Sequence, residues 1–247
     1  MNRIQLLGES VEKRFGRVAA LRGVDFTISP GESVAILGAN GAGKSSLLRI
    51  LAGLSRPSGG RFRALAEGTA PDARPELSRQ VLRSAVGYVG HATLVYGELT
   101  ARENLRFAAR LHGRTLPRPD NDRLLDEQGL LDVAERRAGT FSRGMLQRLS
   151  IARAIAHATG LLLLDEPFTG LDEHSADRLE ERLAAQRDAG RTLLLVTHDP
   201  ERATRLTERA LVLHRGLVRA TPVRGDADWS GPSLREALSA LAREAAA

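Results

Sequence analysis

The sequence predicts an α/β fold with a mainly parallel sheet at its core, and two observations support this prediction. In the second half of the chain, short apolar runs such as Leu161–Leu164 and Leu193–Val196 alternate with helical patterns. Strands that alternate with helices in this way usually pair in parallel. In the first half, the apolar run Ser33–Leu37 leads through a glycine-rich turn into another helical pattern. The length of 247 residues fits one large domain or two small ones.

The N-terminal part is predicted to form short strands at the start of a sheet. Pro30 and Gly31 end the run of strands that precedes Ser33. Leucine and isoleucine recur at helical spacing over Ser45–Leu54, and this spacing predicts a helix. Residues 56–60 predict a turn because they contain proline and two glycines, and residues 65–80 are expected to form a loop. The strands are expected at Ile4–Leu7, Val18–Leu21, Val24–Ile28 and Ser33–Leu37.

The middle of the chain is predicted to be largely helical after one short strand at Val86–Val89. A helix over about 100–112 begins with the capping-box pattern that Thr100 and Glu103 form. Further helices are expected at about 120–136 and 143–158.

The second half is predicted to alternate strands and helices up to the C-terminus. A charged helix over about 173–188 separates the two apolar strands, and a short helix and a hairpin turning at Gly216 follow them. A final helix over about 234–246 is expected to be capped by Ser233, with Glu236 at the reciprocal position. The short helix is expected at about 200–208, and the hairpin strands at Ala210–Leu213 and Leu217–Ala220.

A glycine-rich motif at residues 38–45 predicts a phosphate-binding loop. Its sequence matches G-x-x-x-x-G-K-[ST] and stands between a predicted strand and a predicted helix. Glycines let backbone N–H groups surround phosphates, and the dipole of the following helix adds a positive field. Lys44 is expected to reach the β- and γ-phosphates of a nucleotide, and Ser45 to bind Mg²⁺. The expected phosphate-binding residues are Gly38, Ala39, Asn40, Gly41, Ala42, Gly43, Lys44, Ser45 and Ser46.

Polar residues follow two predicted strands of the second half. Asp165 and Glu166 come directly after Leu161–Leu164, at the edge where open parallel sheets bind ligands. Asp165 is expected to hold Mg²⁺, and Glu166 to orient and polarise an attacking water. His198 follows the next strand, where a histidine by itself is more often an ordinary surface residue. The acidic pair and the phosphate-binding loop together favour nucleotide hydrolysis.

These motifs, in this order and at this spacing, resemble the nucleotide-binding domain of ABC ATPases over residues 1 to about 220. Further matching segments are TGLD at 169–172, THD at 197–199 and FSRGMLQR at 141–148. The last is similar to the family signature LSGGQ with its trailing QR, and differs from it at three of five positions. The resemblance implies a P-loop NTPase fold of ABC-ATPase type with an N-terminal antiparallel β part and a mainly parallel core. It also implies a helical subdomain at about 92–158 and a C-terminal tail at 221–247.

The resemblance assigns roles to residues beyond the phosphate-binding loop. Two such domains would enclose two ATP molecules head to tail, and Ser142 and Gly144 of one chain would complete the site of the other. Asp172 would lie in the segment that communicates between the two chains. His198 would contact the γ-phosphate, and Phe15 would stack on adenine, with plain core packing as the alternative for Phe15.

One departure from the family concerns a metal site. The family usually has a glutamine that touches Mg²⁺ and the attacking water, whereas this chain has Gly90 followed by His91 at that place. A histidine there can still form hydrogen bonds, but it adds a titratable proton. The expected metal-site residues are Ser45, Asp165 and His91. The expected catalytic residues are Glu166, His198 and Lys44.

A narrower resemblance connects the chain with the ATPase subunit of the cytochrome c-maturation system, the haem exporter. It rests on the Gly90–His91 pair, on residues 98–113 and on the segments 141–148 and 165–172. We therefore expect an ATPase that uses ATP and Mg²⁺, forms a homodimer and drives separate integral membrane permease subunits in haem export. Two alternatives are an ATPase for export of a drug, lipid or polysaccharide, and a soluble ABC ATPase acting on nucleic acid or ribosomes. A third, a nucleotide-responsive regulator with little hydrolysis, is disfavoured by the presence of both Glu166 and His198.

Composition limits the partners and the location. The absence of cysteine excludes disulfides and thiolate metal sites. No apolar run approaches the roughly 18 residues that a membrane span needs, and no signal-peptide pattern is present. We therefore expect the chain to stay in the cytosol, and the resemblance to ABC ATPases implies a peripheral protein at the cytoplasmic face of the cell membrane. The 36 basic residues, of which only Lys13 and Lys44 are lysines, exceed 30 acidic ones. Because the arginines are interspersed with acidic residues, they predict a solvated surface, and direct nucleic-acid binding is not expected.

Overall fold

Two sheets and the helices packed on them make up the fold. The computed structural model describes residues 3–66, 75–90, 92–157 and 160–246. The strands are β1 (Ile4–Phe15), β2 (Val18–Ile28), β3 (Ser33–Leu37), β4 (Gly59–Ala66), β5 (Val86–Val89), β6 (Leu161–Asp165), β7 (Thr192–Val196), β8 (Arg209–His214) and β9 (Leu217–Ala220). The helices are α1 (Lys44–Leu51), α2 (Arg79–Ala85), α3 (Ala101–Leu111), α4 (Arg118–Glu127), α5 (Arg143–His157), α6 (Glu173–Asp188), α7 (Pro200–Leu206) and α8 (Gly231–Ala246).

The sheet topology confirms the predicted fold class. One sheet is antiparallel with the order β2-β1-β4, and the other has the order β5-β6-β7-β3-β8-β9. In the second sheet β5, β6, β7, β3 and β8 are parallel, and β9 pairs antiparallel with β8. The central strands β3, β6 and β7 are buried along their whole length. Their continuous apolar runs are therefore those of strands covered on both faces.

The N-terminal sheet differs from the prediction in having two long strands where three short ones were expected before Pro30. The two runs Val18–Leu21 and Val24–Ile28 belong to the single strand β2. Val11 pairs with Val24 while the next residue of β1 pairs with Arg22, so Gly23 between them has no opposite residue. A bulge at Gly23, with φ +93°, thus replaces the predicted break.

A strand and a helix occupy part of the region predicted to be turn and loop, so that prediction was wrong at residues 59–60 and 65–66, which lie in β4, and at residues 79–80, which lie in α2. Gly60 looks like a turn residue, but it lies in β4 with φ +69°, and a Cβ there would be 2.0 Å from the carbonyl oxygen of Ser10. Glycine at this position permits close approach of two strands. The helix α2 is capped by Ser78, whose Oγ accepts from the backbone N of Val81 at 3.3 Å. Residues 67–74 of the predicted loop lie outside the described residues.

The helices α3, α4 and α5 pack together around buried leucines and alanines. The predicted capping box is present, because the backbone N of Glu103 donates to Oγ1 of Thr100 at 3.2 Å and the reciprocal bond is 2.8 Å. The helix expected at 120–136 is shorter than predicted. It ends as α4 before Gly129, whose φ of +59° breaks the helix, and two short 3-10 turns follow.

The C-terminal helix α8 packs on the face of the main sheet formed by β3 and β8. Leu234 is buried there, and Leu238 lies beside it. The helix begins one turn earlier than predicted. The backbone N of Ser233 donates to Oγ of Ser230 at 3.1 Å. Ser233 is therefore inside the helix rather than its cap. The division at residue 220 stays a prediction. In the described ranges, no helix is both long and apolar enough to cross a membrane.

Candidate functional site

The loop from Gly38 to Gly43 joins the carboxyl end of β3 to the start of α1. Gly41 has φ +79° and Gly43 has φ +107°, values that side-chain-bearing residues rarely adopt. A Cβ on Gly38 would lie 2.3 Å from the carbonyl oxygen of Leu213, and one on Gly43 would lie 2.4 Å from that of Ala20. The loop therefore needs glycine both for its backbone angles and for its close contact with neighbouring backbone.

Lys44 is buried in the first turn of α1 although it carries a charge. Its Nζ donates to the carbonyl oxygens of Gly38 at 2.7 Å and Ala39 at 3.1 Å. Burial lowers the pKa of Lys44, and the nearby carboxylates of Glu166 and Asp165 act in the opposite direction. An ammonium group has three donors. Two of them hold the loop in shape, which leaves one N–H for a bound anion.

The two predicted carboxylates follow each other at the end of β6. Asp165 is the last residue of that strand and is 2% exposed. Glu166 has φ +53°, a left-handed conformation that is uncommon for a residue with a side chain. Its backbone N donates to the carbonyl oxygen of Val196, the last residue of β7, at 3.0 Å. The main chain thus turns sharply at Glu166, in a strained conformation of the kind that functional sites accumulate.

His198 lies directly against Glu166. Its Nδ1 is 2.8 Å from Oε2 of the carboxylate. The two side chains meet because β6 and β7 are parallel neighbours whose carboxyl ends share one edge of the sheet. The side chain of His198 is 75% exposed and that of Glu166 is 14% exposed. A carboxylate in this position can accept a proton from a water molecule while the imidazole faces the solvent side.

One cavity of about 410 Å³ brings most of the predicted residues together. Phe15 stands at its edge and is 53% exposed, which rules out a core role. The ammonium of Lys13 lies 5.1 Å from the centroid of the Phe15 ring. An exposed aromatic ring of this kind can stack on a planar base. The predicted residues in the cavity wall are Phe15, Asn40, Gly41, Gly43, Lys44, Ser45, Ser46, Asp165 and Glu166. Gly38, Ala39 and Ala42 belong to the same loop.

The signature-like segment lies apart from the wall of this cavity. Ser142 and Gly144 are at the start of α5, and Oγ of Ser142 accepts from the backbone N of Met145 at 3.3 Å. Asp172 caps α6 by accepting from the backbone N of Ser175 at 2.9 Å, and this bond lowers the pKa of Asp172. Both Ser142 and Asp172 are exposed. They are therefore accessible to another molecule.

The donors in the cavity fit Mg²⁺. Ser45 and Asp165 both line this space, and the hard oxygen donors of their side chains are the ligands that this ion prefers. Within the described parts of the chain, no group of three or more histidine and acidic side chains could hold a metal. Ser45 and Asp165 would thus share the ion with phosphate oxygens and water. His91 lies outside the described residues, and its role stays a prediction.

Two residues that hold the segment after Asp165 were missed by the sequence reasoning. Nε2 of Gln147 in α5 donates to the carbonyl oxygen of Pro167 at 3.0 Å. Arg202 in α7 forms ion pairs with four carboxylates. The position of Gln147 in the signature-like segment was an available signal. No local pattern distinguishes Arg202 from the many other arginines.

Comparisons with known proteins match the chain to one family. The family model described as "ABC transporter" matches residues 21–169, more than half of the chain. A Nod factor export ATP-binding protein I from Rhizobium sp. (strain N33) is 36% identical over 87% of this chain and 70% of its own length. A macrolide export ATP-binding/permease protein MacB from Azoarcus sp. (strain BH72) is also 36% identical, over 93% of this chain and 35% of its own length.

Solved structures are similar over almost the whole chain. A structure described as the ATP binding subunit of an ABC transporter has a TM-score of 0.80 at 31% identity and covers 96% of this chain and 99% of that one. A dimeric post-hydrolysis state of an ATP-binding cassette, bound to ADP and Pi, has a TM-score of 0.76 at 26% identity. The latter match covers 90% of this chain and all of that one.

Proposed function

The chain belongs to the ABC transporter ATP-binding family, and on this premise we propose that it is the ATP-hydrolysing subunit of an exporter. The family couples ATP hydrolysis to transport. The observation that carries the proposal is the single cavity in which Lys44 and Glu166 face one space between the phosphate-binding loop and the end of β6. The two relatives reported above are both named for export, and the proposed direction of transport rests on those two names.

In the proposed reaction, the chain's own groups bind the nucleotide and prepare a water molecule for attack. The loop backbone and the free N–H of Lys44 bind the β- and γ-phosphates. Ser45 and Asp165 would hold Mg²⁺, which would neutralise phosphate charge. Glu166 accepts a proton from the attacking water, whose oxygen bonds to the γ-phosphorus while the bond from that phosphorus to the β–γ bridging oxygen breaks and ADP leaves. His198, 2.8 Å from that carboxylate, holds it in place and contacts the γ-phosphate.

The cavity of one chain is incomplete on the side that faces solvent, and we propose that a second copy closes it. Ser142 and Gly144 lie outside the cavity wall at the exposed start of α5. The N-terminus of a helix favours a bound anion through its unpaired N–H groups and its dipole. In the proposed dimer, this helix end meets the γ-phosphate held by the partner. The similar cassette that was solved as a dimer supports this assembly.

The dimer can be tested with a variant that binds ATP but does not hydrolyse it. Glu166→Gln should form a dimer by light scattering when Mg²⁺ and ATP are added, and remain a monomer with ADP. Adding Ser142→Arg should prevent this dimer, because a bulky side chain blocks the helix end. Ser239→Arg, the same substitution at an exposed position of α8, is the matched control and should leave the dimer intact. Dimer formation by the Ser142→Arg variant would contradict the assembly.

We further propose that the ATPase binds integral membrane permease subunits and is peripheral at the cytoplasmic face of the membrane. The helices α3, α4 and α5 form the part expected to contact them, and Leu111 at the end of α3 is 64% exposed. Purification of the tagged protein from detergent extracts should recover membrane subunits. A soluble dimer that instead recovers RNA in a salt-sensitive manner would favour the alternative of an ATPase acting on nucleic acid or ribosomes.

For the cargo, we propose haem in cytochrome c maturation, on the basis of the sequence segments 90–91, 98–113 and 141–148. The export functions named for the relatives favour a second candidate, in which the same ATPase drives export of another cargo. Deletion of the gene, followed by assay of mature c-type cytochromes, separates the two. Loss of the mature cytochromes would support haem export. Normal levels of mature cytochromes would contradict haem export and favour another cargo.

A further inference from the structure

One buried guanidinium lies at the centre of the elements that follow Glu166 and His198. The side chain of Arg202 in α7 is 5% exposed. Its nitrogens lie 2.6 Å from Glu173, 3.2 Å from Asp177, 2.8 Å from Glu180 and 3.3 Å from Asp199, each distance measured to a carboxylate oxygen. One arginine therefore contacts four carboxylates on α6 and at the start of α7.

The same guanidinium also touches the segment that leads away from the catalytic carboxylate. Its Cζ lies 5.1 Å from the centroid of the Phe168 ring, and Phe168 is two residues beyond Glu166. This distance is typical of a cation–π contact. On the other side, Asp199 is the neighbour of His198, and Glu173 is the neighbour of Asp172. Arg202 thus contacts three segments, and each of them directly follows a predicted site residue: Glu166, Asp172 or His198.

The arrangement needs an arginine in particular. A guanidinium has five N–H donors in a flat fork, and here they point to carboxylates on two elements while the ring of Phe168 is also within contact distance. A lysine ammonium is a compact point charge and cannot contact all of these groups at once. Loss of the side chain would remove the counter-charge that it supplies to the carboxylates of α6 and to Asp199, whereas Glu180 would still pair with Arg205.

We propose that Arg202 is a positioning residue for the hydrolytic step, an inference that rests on the proposed function. It fixes the distance between His198 and Glu166 by holding the turn at Asp199 against the segment that contains Phe168. It also fixes the start of α6, where Asp172 faces the partner chain. It does not touch the nucleotide itself, because its contacts are on α6, α7 and Phe168 rather than on the phosphate-binding loop.

The test compares Arg202→Met with a matched substitution on the same helix. Arg205 in α7 also pairs with Glu180, at 2.9 Å, so Arg205→Met removes an ion pair between the same two helices. Arg202→Met should lower kcat by about ten- to a hundredfold, since small displacements of catalytic groups have effects of this size. ATP affinity, measured by equilibrium binding of a fluorescent ATP analogue, should stay within about twofold of wild type because the phosphate-binding loop is unchanged. Arg205→Met should keep wild-type kcat.

A double-mutant cycle distinguishes positioning from a general loss of stability. If Arg202 acts through His198, Arg202→Met should lower kcat much less in a His198→Ala background than in the wild type, because the group that it positions is already gone. Equal factors in the two backgrounds would overturn the proposal. Arg202→Lys, which keeps the charge in the buried site, covers the case in which the methionine variant does not fold. It should still fold, because a cation remains among the carboxylates, while lowering kcat because it loses the fork geometry.

The outcomes also separate this inference from the proposed function. If the wild-type protein does not hydrolyse ATP, the proposed function fails. If wild type hydrolyses ATP and Arg202→Met and Arg205→Met behave alike, only the positioning role of Arg202 fails.

Discussion

The left-handed backbone at Glu166 predicts that the wild-type residue makes the protein less stable than a residue that adopts this conformation more readily. Glu166 has φ +53°, and a left-handed conformation costs about 1–2 kcal/mol for an ordinary L-residue. Asparagine adopts this conformation several-fold more often than most residues, which corresponds to a gain of about 0.5–1 kcal/mol over glutamine at such a position. Glu166→Asn should therefore be more stable than Glu166→Gln by that amount.

Both variants remove the charge of Glu166 and its proton-accepting carboxylate, so the comparison isolates the backbone. Neither uncharged amide can form an ion pair with His198, so the loss of that pair changes the stability of both variants alike. A third variant, Glu166→Gly, removes the strain completely but gains chain entropy in the unfolded state, a cost of about 0.5–1 kcal/mol. The stability of Glu166→Gly should be equal to that of Glu166→Asn or slightly higher.

The assay is thermal unfolding of the nucleotide-free proteins, with ATPase activity measured on the same samples. For a chain of this length, 1 kcal/mol corresponds to a Tm change of about 2–4 °C. The asparagine variant should unfold about 1–4 °C above the glutamine variant, and all three variants should be inactive. A Tm for Glu166→Asn equal to or below that of Glu166→Gln would refute the strain reasoning. Hydrolysis by any of the three would refute the role of the carboxylate.

Three further predictions concern buried or constrained residues. Burial and the neighbouring His112 lower the pKa of His157 to about 4, with two backbone carbonyls acting in the opposite direction. Because the unfolded state then binds more protons below about pH 6.5, stability should fall by about 2 kcal/mol from pH 7 to pH 5 in urea unfolding, and His157→Gln should remove most of this fall. Lys44→Arg should not hydrolyse ATP in a phosphate-release assay, because a guanidinium cannot replace a compact ammonium between loop carbonyls and phosphates; wild-type turnover would contradict this. A Cβ on Gly43 would meet the carbonyl oxygen of Ala20 at 2.4 Å, whereas one on Gly41 meets no atom within 4 Å. Gly43→Ala should thus have a Tm several degrees below that of Gly41→Ala, at a cost of about 1–3 kcal/mol, and equal values would contradict the clash.

Features that depend on neighbouring residues in the chain could be predicted from the sequence. The phosphate-binding loop follows from the pattern at 38–45 because glycines at fixed offsets determine the backbone shape. Asp165 and Glu166 could be placed at a sheet edge because they follow a continuous apolar run. The capping box of Thr100 and Glu103 is equally local.

Features that depend on distant contacts could not be predicted. Gly60 carries the composition of a turn, yet it lies in a strand because Ser10 of β1 approaches its backbone closely. Gln147 and Arg202 reach partners 20 or more residues away. Arginine is so frequent in this chain that one arginine does not stand out in the sequence. Only the packing of α6 and α7 shows that Arg202 is buried among carboxylates.

We propose that the cavity between the phosphate-binding loop and Glu166 hydrolyses ATP. The most direct test is steady-state phosphate release from ATP by the purified protein, with and without Mg²⁺, beside the Glu166→Gln variant. Wild type should release phosphate only when Mg²⁺ is present, and Glu166→Gln should bind ATP with wild-type affinity but lower the rate by at least about a hundredfold. Equal rates for wild type and Glu166→Gln would contradict the claim.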